Sequence, residues 1–100
     1  MWQSFSDGST VNTVGVDGGT ILKDEDTIGA RITLEKDSIV APYSITCGIY
    51  GLMVHTAMFE GEKEAYTNYE AMKIDIQYFM DNDIIDEALE EWCGQFIEKY

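Results

Sequence analysis

The sequence predicts an α+β domain: a three- or four-stranded antiparallel sheet in the N-terminal part, covered on one face by a C-terminal antiparallel helical pair. Three observations predict it. Apolar and polar residues alternate from Thr27 to Lys36, an apolar stretch rich in β-branched and aromatic residues runs from Tyr43 to Phe59, and beyond Gly61 the apolar spacing changes to threes and fours. The strands fall within residues 9–59 and the helices at about 62–80 and 83–99. With 100 residues, 45% of them hydrophobic and 12% aromatic, the chain makes one domain, 1–100, with a single core.

The first nineteen residues are rich in Gly, Ser, Thr and Asp, and the Asp-Gly pairs at Asp7 and Asp17 mark turns. A short strand is expected between them around Val11, Val14 and Val16. Trp2 and Phe5 are expected to tuck against the body, since a frayed tail gains nothing by leaving two aromatics in water. Thr20 to Leu22 reads as a second short strand, and Lys23-Asp24-Glu25-Asp26 as a polar connection. In Thr27 to Lys36 the positions Ile28, Ala30, Ile32 and Leu34 form the buried face, while Gly29, Arg31, Thr33 and Glu35 form a wet one.

The run from Tyr43 to Phe59 carries no charge apart from any on His55. At 17 residues it sits at the lower limit for a membrane span, and its Ser44, Thr46, His55, Thr56 and two glycines favour a soluble core. Pro42 suits a strand start. Tyr43, Ile45, Cys47 and Ile49 share one face, but after Gly51 the even positions Leu52, Val54 and Met58 are the more apolar. This change of phase predicts a bulge at Gly51, with a tight hairpin at Tyr50 and Gly51 as the alternative.

Ala65, Tyr69, Met72, Ile76 and Phe79 recur at helical spacing, and Met80 widens the stripe. A second stripe, Thr67, Ala71, Ile74 and Tyr78, predicts either packing against the next helix or a partner surface. Asp83 can cap that next helix, whose inward face is Ile85, Ala88, Leu89, Trp92, Phe96 and Tyr100. Gly94 interrupts its outer face, where a glycine weakens a helix, so a close approach by another group would explain it.

The formal net charge is −13, which disfavours nucleic acid and anionic membrane surfaces as partners. No basic, apolar leader opens the chain, so a cytoplasmic address is the expectation. Two cysteines in apolar settings, Cys47 and Cys93, read as buried free thiols rather than a disulfide. No cofactor is implied and no metal site either, since Cys47, His55 and Cys93 lack zinc-ligand spacing. Asp24 and Asp26 complete no calcium loop, and Gly15, Gly18 and Gly19 complete no phosphate loop.

The acids are uneven. Residues 60–100 hold twelve acids against three lysines, and Asp81 to Glu91 alone holds six acids and no base. Helix polarity accounts for acids at the start of the last helix, whereas Glu90 and Glu91 sit one turn from Asp86 and Glu87, where like charges are unfavourable. The sequence therefore points to a non-catalytic acidic interaction or regulatory domain that binds a protein partner, a basic one by charge, through Asp83, Asp86, Glu87, Glu90 and Glu91. The alternative is a small enzyme or ligand-binding domain with a pocket between sheet and helices near Cys47 and His55. A homodimer is also expected, through the sheet face carrying Arg31, Thr33, Glu35, Thr46 and Tyr50, or through Ala71, Ile74 and Tyr78.

Overall fold

The computed structural model describes residues 2–82 and 86–100, the side chains of residues 86 and 87 excepted. Its elements are β1 (Gln3–Ser4), a 3-10 turn (Phe5–Gly8), β2 (Thr20–Thr27), β3 (Ala30–Lys36), β4 (Tyr43–Ile49), β5 (Met53–Phe59), α1 (Glu62–Asp81) and α2 (Asp86–Lys99). The strands form one antiparallel sheet in the order β1-β2-β3-β4-β5. The α+β class is therefore the predicted one, with five strands in place of three or four.

The extra strands come from stretches whose local pattern is weak. Lys23 to Asp26 is not a connection but the middle of β2, where three of the four charged side chains meet a partner from elsewhere in the chain. Lys23 faces Glu70 at 3.6 Å, Lys73 reaches Glu25 at 3.0 Å, and Arg31 reaches Asp24 at 2.7 Å. A bulge lies between Ile21 and Lys23, so Leu22 joins the core on the helix side. The segment around Val11 forms turns rather than a strand, with one isolated bridge from Val14 to Thr20. Ile28 lies in the turn between β2 and β3 and is exposed, against the expectation that it is buried.

Gly51 is a hairpin and not a bulge. Its φ of 78° suits a residue without a β-carbon, and the Leu52 amide donates to the Ile49 carbonyl at 2.9 Å to close the turn. Ile49 then pairs with Met53 and Tyr43 with Phe59, so the odd positions face the helices in both strands. The phase never slips. The apolar even positions Leu52, Val54 and Met58 stand instead on the face away from the helices, and all three are exposed.

The core lies between the sheet and α1. Ala30, Ile32, Leu34, Ile45, Cys47 and Ile49 meet Ala65, Tyr69, Met72, Ile76 and Phe79, the predicted helix stripe, and nearly all are fully buried. Tyr69 also donates from its hydroxyl to Glu25 at 2.7 Å, which satisfies the one polar atom that it carries into the core. α2 joins through an aromatic ladder: Phe79 to Trp92 at 4.4 Å, Trp92 to Phe96 at 5.2 Å and Phe96 to Tyr100 at 4.9 Å between ring centroids. Ala88 and Leu89 are partly buried, and the expected core residue Ile85 lies outside the described residues. α2 does not cover the second stripe of α1, where Ile74 and Tyr78 remain exposed. Among the described residues no atom outside its own helix backbone lies within 4 Å of where a β-carbon on Gly94 would stand, so none of them explains that glycine.

The N-terminal segment provides the second difference from expectation. Trp2 does tuck in, donating from its indole to the Lys73 carbonyl at 3.2 Å, and Phe5 lies 3.6 Å under the Arg31 guanidinium. Residues 10–19 then lie on the sheet face opposite the helices. That face is consequently only partly wet, and Glu35, expected in water, is buried.

Candidate functional site

The N-terminal segment covers part of the outer sheet face and leaves a cleft of about 670 Å³ beside it. Arg31 and Thr33 of β3 and Thr46 and Gly48 of β4 form its floor. Thr10, Thr13, Val14 and Val16 make one wall, and the β4–β5 hairpin makes the other with Tyr50, Leu52 and Val54.

Buried acids pin the first wall. Asp24 is buried and accepts from Arg31 through both oxygens, Nε at 2.9 Å and Nη2 at 2.7 Å, and from the Thr10 and Thr33 hydroxyls at 2.8 and 3.1 Å. Burial disfavours charge on Asp24, but the Arg31 guanidinium and the two hydroxyls outweigh it and hold the carboxyl below its ordinary value. Glu35 accepts from the backbone amides of Gly19 at 3.0 Å and Asp17 at 3.4 Å. A β-carbon on Gly15 would overlap the Glu35 carboxyl, so any side chain there would have to displace that acid. Two main-chain bonds, Asn12 amide to Ile21 carbonyl at 2.8 Å and Ile21 amide to Thr13 carbonyl at 2.9 Å, tie the wall to β2. Thr46 donates to Asp17 at 3.2 Å from the floor.

The result is a polar floor with an apolar rim. Val14 is 77% exposed, Val16 84%, Val54 75% and Tyr50 63%. Single exposed apolar residues are ordinary; a ring of them around a concavity of ligand size is the composition of a binding site. Of the lining residues Arg31 and Glu35 are charged, and Asp24 behind Arg31 and Asp17 on Thr46 bring the acids in and directly behind the cleft to three against that one cation. Asp24 occupies Nε and Nη2 of Arg31.

Cys47 and His55 are brought together with their side chains on the helix side of the sheet, although Cys47 is also among the residues that line the cleft. They are cross-strand partners in the β4–β5 pairing. The thiol lies in the core, and burial pushes it up to about 12, away from the thiolate that a nucleophile requires. The His55 ring meets Phe96 edge-on at 6.2 Å, and its Nε2 is buried without a hydrogen-bond partner among the described residues. His55 does not line the cleft.

Of the acidic residues singled out on the last helix, Glu90 and Glu91 are exposed, and Glu91 accepts from Gln95 at 3.3 Å. Asp83 and the side chains of Asp86 and Glu87 lie outside the described residues. Among the described residues no cluster of His, Cys, Asp and Glu could hold a metal ion, and no helix is long and apolar enough to cross a membrane.

Sequence reasoning missed the cleft. Its available signal is the apolar character of Leu52 and Val54, which a change of phase would place in the core and which the hairpin turns outward. Compared with protein-family models, with curated proteins and with solved structures, the chain matches none, so any functional reading rests on the site itself.

Proposed function

We propose that the protein is a non-catalytic binding domain for a protein partner, and that the partner inserts an apolar side chain flanked by basic residues into the outer cleft. One observation carries this reading: a concavity of about 670 Å³ has an apolar, exposed rim, Arg31 and Glu35 are the charged residues of its lining, and two further acids, Asp17 and Asp24, stand directly behind it on Thr46 and Arg31. The rim supplies the area that drives association, and the surplus of carboxylates selects the sign of the partner. The net charge of −13 steers in the same direction.

The acidic outer face of α2 supports a second reading, in which Glu90 and Glu91, together with Asp83, Asp86 and Glu87, meet the basic partner. It is favoured by the six acids without a base in Asp81 to Glu91. A small enzyme built on Cys47 and His55 is the weakest reading, because ionising a core thiol is unfavourable in the physiological range.

Short peptides with a central leucine flanked by lysines, by glutamates or by neutral residues, titrated into labelled protein and followed by amide shifts, separate these readings. The lysine peptide is expected to move Thr46, Gly48 and Val54, with less effect at high salt and none from the glutamate peptide. Shifts confined to Glu90 and Glu91 would transfer the function to α2. An absence of shifts with all three peptides at millimolar concentration would refute the cleft reading.

A further inference from the structure

The two edges of the sheet are built differently. β1 closes one edge with two residues, Gln3 and Ser4, and the neighbouring β2 carries a bulge. Short strands and bulges are how natural sheets keep an edge from pairing with another chain. β5 closes the other edge with seven residues, Met53 to Phe59, and among the described residues has one hydrogen-bonded neighbour in the sheet, β4. It contains no proline and no Asp, Glu, Lys or Arg, and it pairs with β4 without a register shift. Nothing in its sequence protects it.

We infer that β5 pairs with the β5 of a second copy, antiparallel about a two-fold axis through Thr56, to make one continuous ten-stranded sheet. Every strand edge can accept a foreign strand, and what selects the same chain is the match of side chains in this register. With Thr56 opposite Thr56, each Val54 stands against Met58 of the second copy, and each His55 against Ala57. Val54 and Met58 are 75% and 59% exposed on the outer face, so the pairing covers two apolar contacts, related by symmetry, with no charge between them. The imidazole of His55, on the helix face, is set against the small Ala57 and meets no bulky neighbour across the axis.

Charge also tells this occupant from a basic one. Two bodies of −13 repel, so the dimer is strengthened by salt, whereas a basic partner is released by it. The inference does not rest on the ligand of the cleft. It adds to that site, since Val54 lines the cleft and the second copy's Met58 would extend the rim beside it.

Light scattering after size exclusion, at low and high salt, is expected to give twice the chain mass for the native protein, with the dimer persisting to lower concentration at high salt. Val54→Lys with Met58→Lys sets lysine against lysine at both contacts and is expected to give a monomer. Val54→Lys with Met58→Glu sets lysine against glutamate at both contacts and is expected to restore the dimer. A native protein that is monomeric at high salt and high concentration overturns the inference. Two dimeric variants overturn it by placing the interface elsewhere, and two monomeric variants overturn it by showing association through the apolar face without this register. Should the double-lysine variant fail to fold, hydrogen exchange on the native protein decides: dilution is expected to speed exchange of β5 amides and to leave those of β1 and β2 unchanged, and exchange of β5 independent of concentration overturns the pairing.

Discussion

The two faces of the sheet are closed by different physics. Toward the helices, Ile32, Leu34, Ile45 and Cys47 meet Tyr69, Met72 and Ile76, and the face is dry and apolar. Away from them, Asp24 and Glu35 are just as buried, yet what covers them is a loop that pays for its place with hydrogen bonds to their oxygens. The first face is held by area, which is indifferent to direction and tolerant of sequence. The second is held by donors aimed at acceptors, which stabilise only while each partner is present. A face built the second way need not be filled, and the unfilled part is the cleft.

The sharpest break between the faces is chemical access. Cys47 is sealed in the core while Cys93 is only partly buried, so alkylation with iodoacetamide at neutral pH is expected to modify Cys93 roughly a thousandfold faster, with Cys47 following global unfolding. Comparable rates, read by peptide mass, would show that the helix side opens on its own. The next largest effect is on stability. Ile45→Ala leaves a hole at a fully buried site and is expected to cost about 3 kcal/mol in urea unfolding, with no dependence on pH between 3 and 7.

Asp24→Asn tests the other face and is expected to cost about 2 kcal/mol, less than a fully buried ion pair because Arg31 is partly exposed. Its signature is in the pH profile. The folded-state carboxyl titrates below its ordinary value of 3.8, so its contribution is complete above that value and is lost as the pH falls through the lower folded value. The native protein should therefore lose stability below about pH 4 more steeply than the asparagine variant. Parallel acid limbs would mean that the Asp24–Arg31 pair adds nothing. The smallest expected change in stability is Val16→Thr, within about 0.5 kcal/mol, because the side chain is exposed and lies outside the paired edge. It should nonetheless weaken binding of the lysine-flanked peptide, and unchanged affinity would remove Val16 from the proposed site.

Spacing along the chain is enough for the α+β class, the five buried positions of α1 and the inward faces of β3 and β4, apart from Ile28. Each is a matter of spacing between near neighbours, and such spacing decides which side chains share a face before any partner is present. Only the tertiary structure decided the rest. Lys23 to Asp26 became a strand because Lys73, 48 residues beyond Glu25, and Arg31 across the hairpin supply its counter-charges. Leu52, Val54 and Met58 were legible as apolar, but whether they face in or out depended on whether Gly51 bulges a strand or reverses it, and a turn of three residues reverses the chain without changing which parity points inward. The cleft exists because the N-terminal loop, anchored on Asp24 and Glu35, stops short of the hairpin. Contacts of that kind join residues far apart in the chain, and no periodicity within either segment records them.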